Sequence, residues 1–116
     1  PLSLPGTPLL VTGIANPQPM LAYLREQYPN TELLAFPDHH IFTNNDLEII
    51  RAKAENYICV VTTEKDYMRL QHTALVKQLG NKLYVQTIKT DFGIDKEAFD
   101  RAIRLYISEN NRNSKH

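Results

Sequence analysis

The chain has 116 residues, of which 42% are hydrophobic and 22% charged, so it can form one globular domain with its own core and is not a disordered chain. Its 13 Lys and Arg residues balance 13 Asp and Glu residues, and this zero net charge argues against general binding of nucleic acid. No apolar run approaches the roughly 20 residues of a membrane helix, and the single cysteine, Cys59, excludes an internal disulfide.

The first third of the chain predicts a strand, a helix and a second strand. Residues 1–8 are rich in proline and indicate a linker that leads into the domain, and a start at proline without a Met suggests a piece of a longer protein. The apolar run 9–14 predicts a buried strand. Asn16 is a suitable N-cap for a helix with Pro17 at its first position. Residues 31–36 predict the second strand.

Two threonines mark the next helix starts. Thr43 is predicted to cap the second helix, with Asp46 three residues on. The β-branched run 57–62 predicts a central strand buried on both faces. Thr63 then repeats the capping pattern for a helix over residues 64–70.

The last third of the chain predicts a further helix near residues 74–79, a fourth strand over 83–88 and a final helix capped by Asp95. We expect that final helix to carry Phe99, Ile103, Leu105 and Tyr106. The single α/β domain is expected to span residues 9–109, and the polar tail 110–116 is expected to be frayed.

This alternation of strands and helices predicts a three-layer α/β domain. The sheet should be four-stranded, mostly parallel and Rossmann-like, with helices on both faces. Ligands of such sheets meet the loops beyond the carboxyl ends of the strands. Loops 13–17, 37–43 and 62–66 are therefore the candidate site.

Asp38, His39 and His40 follow the second strand directly. A carboxylate beside an imidazole can perform acid–base chemistry near neutral pH, although a loop histidine can equally be bonded to the backbone. If the backbone is extended here, the two histidines point to opposite sides and would not bind one metal ion together.

The other two loops allow a functional and a structural interpretation. In loop 62–66, Lys65 could reach a phosphate, while Glu64 or Asp66 could order a neighbouring loop. A well-capped helix with a solvated first turn would equally explain Thr63 and Asp66. Loop 13–17 could offer backbone N–H groups to an anion or be a plain βα turn, and the chain has no phosphate-binding glycine motif.

Three segments together resemble one known family. They are VTGIANP at 11–17, FPDHHIFT at 36–43 and VTTEKD at 61–66. In this order and spacing they are similar to the C-terminal part of tetraacyldisaccharide 4'-kinase, the lipid A 4'-kinase of Gram-negative bacteria, over roughly residues 8–107. The resemblance implies a P-loop-type kinase that uses ATP and Mg²⁺ to phosphorylate the 4'-hydroxyl of tetraacyldisaccharide 1-phosphate in lipid A biosynthesis.

The resemblance also implies how the work is divided within the parent enzyme. The phosphate loop and the Mg²⁺-binding acids belong to the family's N-terminal domain, so this chain alone is expected to be inactive, to bind no ATP, Mg²⁺ or other metal, and to partner that domain. The parent is expected at the cytoplasmic side of the inner membrane, where it meets its lipid A disaccharide precursor. This domain itself is expected to be soluble, without contact to membrane or nucleic acid.

Residue roles carry over by position in the matching segments. The resemblance implies that His39 supports a catalytic aspartate of the N-terminal domain, with His40 the lesser candidate and Asp38 orienting His39. A possible wall of the active site comprises Asn16, Thr63, Glu64, Lys65 and Asp66.

Two other functions remain open. An Asp-His-His metal-dependent phosphoesterase would need further acids at strand ends, and the first strand ends in Gly13-Ile14-Ala15 without one. A non-catalytic α/β binding module is the other alternative. A G-x-x-x-x-G-K-[ST] motif upstream in the parent would favour the kinase, and its absence would favour the module.

Overall fold

The computed structural model describes residues 4–88 and 103–107. The strands in this part of the chain are β1 Pro8–Thr12, β2 Glu32–Ala35, β3 Cys59–Thr63, β4 Leu83–Ile88 and β5 Ile103–Ile107. The α-helices are α1 Gln18–Gln27, α2 Asn44–Ala54, α3 Glu64–Leu70 and α4 Ala74–Leu79, and a short 3-10 turn, Gly80–Lys82, follows α4.

Within the described residues, five strands form one sheet in the order β2-β1-β3-β4-β5. The first four run parallel, with β1 between β2 and β3. The fold class predicted from the sequence, a mostly parallel Rossmann-like α/β sheet with helices on both faces, is confirmed. The fifth strand adds an antiparallel edge beside β4.

The helix predicted at the end of the chain is wrong for residues 103–107. These residues form β5, which pairs from Tyr84 opposite Ile107 to Ile88 opposite Ile103. Ile103, Leu105 and Ile107 alternate with a period of two, and β-branched and aromatic residues suit a pleated strand. The predicted cap Asp95, Phe99 and the tail lie outside the described residues.

Two layers of apolar side chains hold the sheet between its helices. One face packs against α2, α3 and α4, and the other packs against α1. Strand β1 serves both faces, because Leu9 and Val11 point to the first layer while Leu10 points to the second. All three side chains are fully buried, as the continuous apolar run predicted.

Strand β2 lies on one side of β1 and strand β3 lies on the other, so the order in which strands are added to the sheet reverses after β2. The connection from β1 to β2 runs one way through α1, and the return to β3 runs through α2 on the opposite face. Such a reversal separates the loops at the carboxyl ends of the two central strands and opens a crevice between them. In this domain that switch point lies between the end of β1 and the start of α3.

The predicted helix starts are largely observed. Thr43 forms a full capping box with Asp46, and the Thr63 hydroxyl accepts the backbone N–H of Asp66 at 3.0 Å. Helix α1 begins one residue later than predicted, with Pro17 as N-cap, while the Asn16 Oδ1 accepts the N–H of Gln18 at 3.3 Å.

Two further expectations from the sequence can be compared with the structure. Cys59 is completely buried, and this burial raises the pKa of its thiol to about 11, so it is an inert core residue. Among the described residues, no helix has both the length and the apolar character needed to cross a membrane.

Candidate active site

The loops that follow β1, β2 and β3 meet at the carboxyl edge of the sheet. Gly13, just after β1, lies so close to the other two loops that a Cβ placed on it would be 3.1 Å from the carbonyl oxygen of Pro37 and 3.3 Å from Oδ1 of Asp66. The same Cβ would be 3.7 Å from the Cβ of His40. A side chain at position 13 would require the neighbouring loops to shift by a few tenths of an ångström, so glycine favours their close approach.

Asp66 is the most completely bonded polar group at this edge. Its carboxylate accepts the Thr12 hydroxyl at 2.9 Å, the Thr63 hydroxyl at 2.6 Å and the Gly13 N–H at 3.1 Å from each oxygen. The residue is 0% exposed. Asp66 therefore ties the end of β1 to the first turn of α3.

This bonding decides what Asp66 can do. A buried carboxylate is tolerated only when hydrogen bonds replace its water, and bonds to a charged acceptor are the stronger kind. With its two oxygens engaged by protein donors, Asp66 braces the end of β1 against the first turn of α3. The capping interpretation of Asp66 was thus correct but incomplete, because its bonds to Thr12 and Gly13 were not predicted.

Asp38 and His39 occupy the middle of a tight turn. The turn is closed by the N–H of His40, which donates to the carbonyl of Pro37 at 3.1 Å. His39 has a φ of 59°, in the left-handed region that non-glycine residues seldom adopt. The extended backbone assumed from the sequence is therefore wrong here, because the closed turn reverses the chain. Strained conformations of this kind concentrate at functional sites.

His39 projects from this turn with a neighbour at each ring nitrogen. Its side chain is 71% exposed, and Nε2 lies 3.3 Å from Oδ2 of Asp38. Its Nδ1 lies 3.3 Å from Nη2 of Arg69 on α3. The turn thus presents an accessible imidazole between a carboxylate and a guanidinium, an arrangement suited to acid–base chemistry.

His40 faces the domain. Its Nε2 lies 2.8 Å from Oδ2 of Asp46 at the start of α2, and its ring stacks on Phe36 with centroids 5.1 Å apart. Phe42 meets the same ring edge-on at 5.3 Å. His40 therefore fastens the turn to α2 and to the apolar layer beneath it.

The remaining residues of the possible wall separate into two groups. Thr63 is buried with Asp66 in the network just described, whereas Asn16, Glu64 and Lys65 are exposed at the same edge of the sheet. Arg69 was not singled out in the sequence. Its signal was its spacing of three residues from Asp66, which places both side chains on one face of a helix.

The alternative of an Asp-His-His metal site can be compared with the side chains at this edge. Residues 4–88 and the β5 strand contain no group of three His, Cys, Asp or Glu side chains that could hold a metal ion. His39 and His40 have separate partners, which argues against an Asp-His-His metal site.

Fold and site together define a class of protein. It is a Rossmann-like α/β domain that carries an acid–imidazole pair beyond the carboxyl ends of its parallel strands, where domains of this fold act on ligands. Residues 3–108 match the family model described as Tetraacyldisaccharide-1-P 4'-kinase, and the chain belongs to that family.

Relatives from several bacteria carry the same name. The chain is 47% identical over 102 residues to the tetraacyldisaccharide 4'-kinase of Flavobacterium johnsoniae, a match covering 88% of this chain and 28% of the relative. Identity is 37% to that of Flavobacterium psychrophilum (90% of this chain, 29% of the relative) and 38% to that of Phocaeicola vulgatus (91% and 31%). The chain thus spans less than a third of the length of these relatives. No solved structure matches it.

We expect Asp66→Asn to lower the free energy of unfolding by about 2–4 kcal/mol, because an amide cannot accept every donor that the buried carboxylate accepts. Chemical denaturation of the domain measures this effect. The control is Glu64→Gln, an exposed acid of the same helical turn, which should change stability by less than about 0.5 kcal/mol. Equal stabilities of the two variants would show that the Asp66 network contributes nothing.

Asp46 should contribute to the pH dependence of stability. The N–H of Thr43, followed by His40, lowers the pKa of this carboxyl below its ordinary value of 3.8. A lowered pKa stabilises the fold above the unfolded-state pKa, and this contribution disappears as pH falls through the folded-state pKa.

The stability difference between the wild type and Asp46→Asn should therefore shrink on acidification below about pH 4. Denaturation curves at a series of pH values measure it, with Asp38→Asn as the control from the same loop region. A difference that stays constant or grows at low pH would contradict the assignment.

Proposed function

We propose that the protein containing this chain transfers the γ-phosphate of ATP to the 4'-hydroxyl of tetraacyldisaccharide 1-phosphate in lipid A biosynthesis, at the cytoplasmic side of the bacterial inner membrane. Membership of the family and the names of the relatives support the reaction. The single observation that carries this domain's part in it is the exposed, left-handed His39 between Asp38 and Arg69.

His39 would act on a carboxylate base supplied by the N-terminal domain of the parent. An imidazole N–H can hold such a base in the correct orientation while the base accepts the proton of the acceptor hydroxyl. Asp38, 3.3 Å from Nε2 of His39, would orient the imidazole before the two domains close. The exposure of His39 leaves the ring accessible to a partner domain.

ATP would supply the phosphoryl group, and Mg²⁺ would neutralise its charge. The residues described here do not fit a binding site for either. The 116 residues contain no G-x-x-x-x-G-K-[ST] motif, and the oxygens of Asp66 are engaged by the protein's own donors. We therefore assign nucleotide and metal binding to the N-terminal domain, and to this chain the positioning of the base.

In the full-length parent, His39→Ala should lower kcat by about 10²-fold and leave the apparent KM for ATP nearly unchanged, because the imidazole would serve proton transfer rather than nucleotide binding. His40→Ala should affect kcat much less and mainly lower the melting temperature, since it removes the contacts to Asp46 and Phe36. Steady-state kinetics and thermal melts of both variants measure these effects. Full activity of His39→Ala would refute the catalytic role of the turn, and a severe kcat defect confined to His40→Ala would move that role by one position.

The isolated chain should neither hydrolyse ATP nor phosphorylate a lipid acceptor, because it supplies only the support for the base. A phosphate-release assay on residues 1–116 measures this, with the full-length parent as positive control. Turnover above the buffer blank that a single substitution in this chain abolishes would overturn the assignment.

A further inference from the structure

One guanidinium connects the buried part of the carboxyl edge to its exposed part. Arg69 lies three residues after Asp66 on α3, and its Nη1 is 3.5 Å from Oδ1 of Asp66. Its Nη2 is 3.3 Å from Nδ1 of His39. The Nη1 atom is itself buried and makes no hydrogen bond among the described residues, while the side chain as a whole is 29% exposed.

The position of Arg69 follows from this geometry. Asp66 is fixed by the Thr12, Gly13 and Thr63 donors, so it provides a rigid negative charge beneath the guanidinium. The contact to Asp66 is an ion pair rather than a short hydrogen bond, and it leaves the other nitrogen of the planar fork directed at His39.

The chemistry of the two side chains then determines which ring nitrogen of His39 carries the proton. A guanidinium stays protonated in proteins and has only donors. In a hydrogen bond between Nη2 of Arg69 and Nδ1 of His39 the guanidinium is therefore the donor, which requires an unprotonated Nδ1. The ring proton then belongs on Nε2, the nitrogen 3.3 Å from Asp38.

We propose that Arg69 is a positioning residue that holds His39 in the Nε2–H tautomer and keeps its N–H directed at carboxylate oxygens. Its catalytic consequence rests on the function proposed above, in which His39 supports a carboxylate base. The tautomer itself does not depend on that function. The competing interpretation is a surface contact of negligible energy, as exposed ion pairs often are.

The test is nitrogen NMR of the full-length protein labelled with ¹⁵N-histidine, with His39→Ala used to assign the signal. In the wild type, Nδ1 of His39 should show the shift of an unprotonated ring nitrogen and Nε2 that of a protonated one. Arg69→Met should move both chemical shifts towards values averaged over the two tautomers. Arg51→Met is the matched control, because Arg51 pairs with Glu48 on α2 and with Glu55 directly after it, and has no described contact to His39.

Arg69→Lys is the second variant, in case Arg69→Met does not fold. It keeps a positive charge beside Asp66, but one ammonium cannot bridge Asp66 and His39 as the planar guanidinium does. The nitrogen shifts of His39 should therefore again be averaged over the two tautomers. Averaging in folded Arg69 variants and not in Arg51→Met supports the proposal. A wild-type pattern in a folded Arg69 variant overturns it.

Kinetics separate this inference from the proposed function. Arg69→Met should lower kcat roughly 10-fold with little change in the apparent KM for ATP, and it should add nothing further to His39→Ala in the double variant. Averaged tautomers with unchanged kcat would retain the positioning of the His39 proton by Arg69 and refute its catalytic consequence, whereas full activity of His39→Ala would refute the proposed function itself. An additive loss in the double variant would show that Arg69 acts independently of His39 and would overturn its positioning role.

Discussion

The carboxyl edge of this domain depends on one buried negative charge. Asp66 has no exposed surface, and hydrogen bonds from Thr12, Gly13 and Thr63 replace the water that its carboxylate would have in the unfolded chain. The bonds come from two neighbouring strands whose separation at the switch point would otherwise leave an open crevice. Each donor that fixes the carboxylate also ties the end of β1 to the first turn of α3. The strength of the network and the structural role of Asp66 therefore have the same cause.

The position of the turn at Pro37–His40 depends on this network. Gly13 is held by Asp66, and a Cβ at this position would lie 3.1 Å from the carbonyl oxygen of Pro37 and 3.7 Å from the Cβ of His40, so the end of β1 packs closely against the turn. His40 fastens the turn from the other side through Asp46. Anchored at both flanks, the turn can hold His39 at a positive φ that an unsupported loop would relax. Rigid packing beneath and an exposed side chain above are the combination that a positioned functional group needs.

Local rules account for what the sequence predicted, and non-local contacts account for what it missed. Thr43 and Thr63 were found because caps depend on residues three positions apart, and β3 was found because a continuous apolar run suits a central parallel strand. The bond from Thr12 to Asp66 joins residues 54 positions apart, which no local pattern encodes. The strand at Ile103–Ile107 was missed because its apolar residues also fit one helical face, and pairing with β4 decides between the two. The positive φ of His39 was not predicted because it depends on the closed turn between Pro37 and His40.

Two adjacent histidines with different environments illustrate why a motif does not assign roles by itself. The ring of His40 is enclosed by Phe36 and Phe42 and bonded to Asp46, so its polar group is satisfied inside the domain. The ring of His39 is mostly exposed, and its neighbours are charged groups at the carboxyl edge of the sheet. Only the second environment leaves an imidazole ring accessible to a group from outside the domain. The turn at Pro37–His40 separates the two roles, because reversing the chain between the residues gives each ring a different set of partners.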